Sequence, residues 1–215
     1  GAAREIFDAG RTLLEDIVAR GLLEARGVYR FLPAAHDGDD IVLYDDVQHA
    51  RERARIPTLR QQVLGKADGP SYALADFIAP HESRAGDYLG MFAVTAGHGL
   101  DALVRRFEAQ HDDYHAIMAK ALADRLAEAF AELVHRRARE LCGFGQGEAL
   151  TSEDLIAERY RGIRPAPGYL ACPDHTDKRI IFALLEAERH TGITLTESLA
   201  MWPSAAVSGF IINHP

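Results

Sequence analysis

From residue 101 to residue 141 the apolar side chains keep to one helical face. Leu103, Val104, Phe107, Tyr114, Ile117, Met118, Leu122, Leu126, Phe130, Leu133 and Val134 recur at spacings of three and four, the period of an amphipathic helix. At 1.5 Å per residue, one unbroken helix over this stretch would be about 60 Å long. That exceeds what a compact chain of 215 residues can surround. A break is therefore expected near His111-Asp-Asp113, with Gly143 as the C-terminal stop.

Strand signals lie on both sides of this helical middle. Ile6, Leu13, Leu14, Ile17 and Val18 predict an amphipathic helix over residues 3–20. The runs 27–32 and 40–44 read as strands joined by the polar turn Asp37-Gly-Asp-Asp40, a hairpin. Residues 48–62 fit either an exposed helix or an edge strand, because Pro57 and the alternation Ala50, Glu52, Ala54, Ile56 suit an edge. Gly65 to Pro70 reads as a loop, and Tyr88 to Thr95 as a buried strand. Thr151-Ser-Glu-Asp154 is a capping box for a short helix to Tyr160. Thr176 is expected to cap a second helix through Arg189, ended by Gly192, and 205–212 reads as a strand. Without a regular βαβ alternation, these elements predict an α+β fold: a single domain over 1–215 with a twisted antiparallel sheet carrying long helices.

Composition narrows the function classes. Apolar residues make up 47% and charged residues 26% of the chain, as in soluble globular proteins. The formal net charge of −8 disfavours bulk binding to nucleic acid or an anionic membrane. No apolar run is long enough to span a bilayer, and the charged N-terminus does not read as a signal peptide. Cys142 and Cys172 form no framework of bridges. Free thiols in a reducing, cytoplasmic setting are expected.

The segment Arg161-Gly-Ile-Arg164-Pro-Ala-Pro-Gly168-Tyr169-Leu-Ala-Cys172-Pro-Asp-His175-Thr-Asp-Lys178 is the most informative stretch. Pro165 and Pro167 force extended backbone, whose N–H and C=O groups are free to meet a ligand. Gly168 permits close approach. Arg164 offers a planar fork for a carboxylate or phosphate, and Tyr169 a ring face and a hydroxyl. On the residues alone, a rigid surface loop with an ordinary salt-bridged arginine fits as well.

This segment resembles the signature of the C-terminal activation domain of cobalamin-dependent methionine synthase. Further blocks resemble the same family in the same order: 74–80, 87–97, Phe107 to Tyr114, Lys120 to Phe130 and Leu195 to Pro203. The resemblance covers essentially the whole chain. It implies an S-adenosylmethionine-binding reactivation module, one part of a 5-methyltetrahydrofolate–homocysteine methyltransferase and not catalytic alone. Such a module presents S-adenosylmethionine to cobalamin held by a separate domain, so that oxidised cob(II)alamin is reductively methylated. The implied partners are the cobalamin-binding domain and a flavodoxin-type or other reductase electron donor.

By the same resemblance, Arg164 holds the ligand carboxylate and the backbone from Pro165 to Gly168, notably Ala166, bonds its polar edges. Tyr169 packs on or bonds to the ligand, and Glu128 serves the cationic sulfonium. Asp124 and Glu128 stand one turn apart on one helix face. Without the resemblance, Glu128 reads as a solvated carboxylate. Asp124 and His175 are expected to face the cobalamin partner. Leu170 stands where the family usually has Pro. The family site also draws an aspartate from before the region matching residue 1 and an aromatic pair from just after that matching Pro215, so the chain is expected to be truncated at both ends. The alternative is a docking module of the same fold that has lost its ligand.

Other candidates are weaker. Cys172 and His175 are a single C-x-x-H pair, and zinc needs three or four ligands. His111 and His115 have chelating spacing but lack the HExxH glutamate and read as structural or capping groups. No metal is expected. Trp202 reads as a packing anchor, and the acidic runs 37–40 and 45–46 as solvated turns.

Overall fold

The computed structural model describes residues 1–62, 70–83 and 85–213. The elements are α1 (Ala2–Arg20), β1 (Glu24–Asp37), β2 (Asp40–Tyr44), β3 (Glu52–Pro57), β4 (Asp87–His98), α2 (Leu100–Glu108) and α3 (Asp113–Leu141). They continue with α4 (Ser152–Ile156), α5 (Asp177–Leu185), α6 (Ala187–Thr191), β5 (Thr194–Leu195), β6 (Met201–Trp202) and β7 (Ala206–Ile211). The main sheet has five strands in the order β3-β2-β1-β4-β7, and β5 and β6 form a separate two-stranded ribbon. The fold is α+β, as the sequence predicts. The loop expected over 65–70 lies almost entirely outside the described residues. No described helix is long and apolar enough to cross a membrane.

The chain divides into two compact units. The first comprises Gly1–Val28, Ala93–Ala131 and Ala187–Val207; the second comprises Tyr29–Phe92, Glu132–Glu186 and the segment from Ser208.

In the first unit the expected helix break is present. Helix α2 ends at Glu108 and α3 begins at Asp113, with His111 in the left-handed region at φ 56° between them. Asp112 restarts the helix: one carboxylate oxygen accepts from the His115 backbone N–H at 3.1 Å and the other meets His115 Nδ1 at 2.7 Å. This is N-capping, so the histidine pair resolves to the structural reading. The core packs Leu13 and Ile17 of α1, Leu100, Leu103 and Val104 of α2, and a stripe of Ala116, Ala119, Ala123 and Ala127 on α3. Sequence periodicity placed large residues on that face, yet Tyr114 and Ile117 are exposed. Alanines at spacings of three and four let neighbouring elements approach the helix axis more closely than Leu or Ile would. The β5–β6 ribbon was not anticipated. Trp202 on it is 52% exposed and is not the buried anchor expected; a two-residue strand has too little ribbon to cover an indole.

In the second unit β1 and β2 form the expected hairpin, closed at Asp37 and Asp40 through Gly38 at φ 62°. Residues 52–57 are strand, antiparallel to β2 and at the edge of the sheet. The acidic turns are not merely solvated, because arginines converge on them. Arg55 Nη1 lies 3.0 Å from Asp37 and 3.3 Å from Asp40, Arg53 pairs with Asp45 at 2.8 Å, and Arg60 joins Asp39 to Asp76. Phe92, Phe210, Ile41, Leu43, Ile56 and Ile181 fill the core.

Helix α4 has the predicted capping box, Asp154 N–H donating to Thr151 Oγ1 at 3.1 Å, but stops at Ile156, short of Tyr160. Thr176 gives no side-chain cap to α5; just before the helix, the Asp174 carboxylate accepts from the Thr176 N–H at 2.7 Å. The single helix expected through Arg189 is two, α5 and α6, because Glu186 turns left-handed at φ 48°.

Candidate functional site

The loop 161–175 is fastened to the outer edge of β7. Ile163 N–H donates to Ile212 O at 2.8 Å and Ile212 N–H returns the bond at 3.0 Å. Phe210 N–H donates to Pro165 O at 2.8 Å. This pairing covers a sheet edge that would otherwise expose a row of unpaired backbone groups. It also requires Gly209, since a Cβ there would stand 2.6 Å from Pro165 O.

Beyond Pro165 the chain makes a tight turn. Gly168, at φ 105°, donates its N–H to Cys172 O at 2.7 Å, and Cys172 N–H donates to Tyr169 O at 2.9 Å. A Cβ on Gly168 would overlap the His175 ring, so glycine is needed for both its conformation and the close packing. The extended loop therefore satisfies more of its own backbone than the sequence suggests. Among the described residues the Ala166 N–H keeps no partner. Tyr169 and Leu170 project from the turn, and Tyr169 is 68% exposed.

Arg164 reaches α3. Its Nη1 donates to Glu132 Oε2 at 2.9 Å and to His135 Nδ1 at 3.2 Å. Among the described residues, its Nε and Nη2 carry no hydrogen bond. Glu132 also accepts from the Tyr160 hydroxyl at 3.3 Å. His135 meets the Tyr160 ring edge-on at 5.0 Å. Fully buried Arg139 lies over that ring, its Cζ 4.1 Å from the centroid. Arg139 is held electrostatically by Glu148, 3.5 Å away, and by Glu132, 4.0 Å away.

Burial, with the charges of Arg164 and Arg139, pushes the His135 imidazole down to about 3, so the ring is neutral. Burial likewise raises the Tyr160 phenol.

The Cys172 thiol donates to Asp177 at 3.4 Å, and burial, reinforced by that carboxylate, pushes it up to about 12. Both cysteines are free, Cys142 exposed and Cys172 buried. No cluster able to hold a metal occurs among the described residues.

The structure thus gathers Arg164, Pro165, Ala166, Gly168, Tyr169 and His175 into one part of the second unit. Asp124 and Glu128 are exposed on α3, one turn apart, in the first unit. Sequence reasoning missed Glu132, His135, Arg139 and Tyr160. The signal was there: 132, 135 and 139 share one helix face with the buried Ala131 and Ala138.

A family model for the vitamin B12 dependent methionine synthase activation domain matches residues 1–215. Among solved structures, the chain is similar to a MetH reactivation domain whose crystal structure contains AdoHcy, at 51% sequence identity and a TM-score of 0.95. That likeness covers 100% of this chain and 66% of the other, so the chain spans just under two thirds of its relative. With the whole length matched, the chain belongs to the vitamin B12 dependent methionine synthase activation domain family.

Proposed function

We propose that this chain binds S-adenosylmethionine, and AdoHcy as its product, and presents the sulfonium methyl for reductive reactivation of vitamin B12 in methionine synthase. The observation that carries this reading is the state of Arg164. One of its nitrogens is anchored on α3, and its Nε–Nη2 edge is left for a carboxylate. A carboxylate fits that edge with two parallel charge-assisted bonds.

The neighbouring groups suit the rest of the ligand. The Ala166 N–H, without a partner among the described residues, can donate to a polar edge, and the exposed Tyr169 ring can cover an adenine or ribose. The Pro165–Gly168 backbone is held rigidly enough to keep these donors in place. By the family resemblance, Glu128 is assigned to the sulfonium charge. Asp124 and His175 are assigned to the surface that meets the cobalamin-bearing partner. When bound by that partner, cobalamin supplies the methyl-accepting cobalt, and a reductase supplies the electron. The residues of this chain bind and orient the methyl donor.

Isothermal titration of the chain with AdoHcy tests the reading. Saturable binding is expected, with Arg164→Ala weakening it by about 1.5–3 kcal/mol through loss of a charge-assisted pair. Absence of saturable binding, or wild-type affinity in Arg164→Ala, would overturn it.

A further inference from the structure

We infer that Glu132 and His135 are positioning residues for Arg164: together they clamp Nη1 so that the opposite edge of the guanidinium faces the ligand carboxylate. The inference rests on the ligand reading above, and neither residue touches the ligand in it.

Three observations support the clamp. First, both contacts fall on one nitrogen, Glu132 Oε2 at 2.9 Å and His135 Nδ1 at 3.2 Å. A guanidinium has five N–H donors in a rigid plane, so fixing Nη1 from two sides sets the direction of the Nε–Nη2 edge. Second, the clamp residues are themselves fixed. His135 is fully buried. Glu132 also accepts from Tyr160 at 3.3 Å and lies 4.0 Å from the fully buried Arg139. Because Glu132 is shared between two arginines, it does not consume the whole charge of Arg164. Third, the tautomer is determined. An arginine nitrogen can only donate, so His135 Nδ1 must accept and the ring proton sits on Nε2. That Nε2 is buried and has no partner, so holding Nδ1 toward Arg164 accounts for a buried imidazole that packing alone does not require.

An unclamped arginine would keep its charge and lose its orientation. The long side chain's rotamer freedom must then be lost when the ligand binds. Only a ligand with a carboxylate would feel this.

The test compares AdoHcy with 5′-methylthioadenosine, which keeps the nucleoside and thioether and lacks the amino-acid carboxylate. Both are titrated into wild type, Arg164→Ala, Glu132→Gln, His135→Phe and His135→Asn, with circular dichroism and melting curves for each. Glu132→Gln and His135→Phe are expected to weaken AdoHcy by roughly tenfold and to leave 5′-methylthioadenosine within twofold of wild type. His135→Asn, whose side-chain oxygen can accept where Nδ1 did, should recover most of the loss. A merely structural role would weaken both ligands alike. If Arg164→Ala shows the selective loss while Glu132→Gln and His135→Phe do not, or weaken both ligands equally, the clamp is overturned and the ligand reading stands. If Arg164→Ala itself does not discriminate between the two ligands, the carboxylate reading fails, and the clamp with it.

Discussion

Arg164 and Glu132 form a largely buried ion pair, Nη1 to Oε2 at 2.9 Å, with side chains 16% and 21% exposed. An ion pair at the surface would contribute little. Here, removing one partner strands the other away from water. Glu132 also serves Tyr160 and Arg139, so its truncation leaves the Tyr160 hydroxyl without its acceptor and Arg139 with Glu148 alone. Glu132→Ala is expected to destabilise the chain by about 2–4 kcal/mol, measured by urea unfolding. Glu132→Gln, which keeps the shape and loses the charge that fixes Arg164, should cost clearly less.

The loop depends on one glycine outside it. A methyl group at Gly209 would stand 2.6 Å from Pro165 O and 3.2 Å from the Phe92 ring, and neither is the far end of a flexible side chain. Gly209→Ala should therefore cost about 1–3 kcal/mol through overpacking. It should also weaken AdoHcy, because Pro165 is pushed off the β7 edge. An unchanged melting curve would show that the edge can yield without cost.

Acid stability should report His135. Unfolded, an imidazole titrates near 6.5; folded, this one is held down to about 3 by burial and by the charges of Arg164 and Arg139. Between those values the unfolded chain binds the extra proton. The contribution is thus complete above pH 6.5 and is lost as pH falls toward 3, by about 1.4 kcal/mol per pH unit. Unfolding free energies at pH 5.5, 5 and 4.5 should approach this slope in wild type and show a shallower one in His135→Asn.

The thiols should differ in reactivity. Cys142 is exposed and Cys172 buried, with burial and Asp177 driving the Cys172 thiol up to about 12. Since the thiolate is the reactive form, native alkylation with iodoacetamide at pH 8 should modify Cys142 only. Mass spectrometry after unfolding should show both modified.

Helix α3 should tolerate loss on one face and not gain on the other. Ala123 is completely buried while Ile117 is 66% exposed. Ala123→Leu is expected to cost about 1–3 kcal/mol or more, and Ile117→Ala less than about 0.5 kcal/mol.

These residues also show what the sequence could express. Local chemistry was legible: the break at His111, the Asp37–Asp40 hairpin and the Thr151 capping box each follow from a few neighbouring residues. The α2–α3 boundary was predictable because an unbroken helix would not fit. The identity of the buried α3 face was not. Hydropathy ranks Ile117 above Ala116, whereas close packing selects the alanines. The site was half legible in the same way. Arg164, Gly168 and Tyr169 lie in one contiguous segment whose prolines and glycine advertise an unusual backbone. Glu132 and His135 lie about 30 residues away in sequence, inside a helix where polar residues ordinarily read as solvated. Only the folded chain brings them to Arg164. The bond from Phe210 to Pro165 is likewise a matter of tertiary placement, so the role of Gly209 had no local signature.

The most direct test is a crystal structure of this chain with AdoHcy. The ligand carboxylate is expected within hydrogen-bonding distance of Arg164 Nε and Nη2, with Nη1 still on Glu132 and His135 and the Ala166 N–H bonded to the ligand. A carboxylate lying away from Arg164, or an Arg164 that leaves Glu132 to reach it, would show that Arg164 is not the anchored carboxylate receptor.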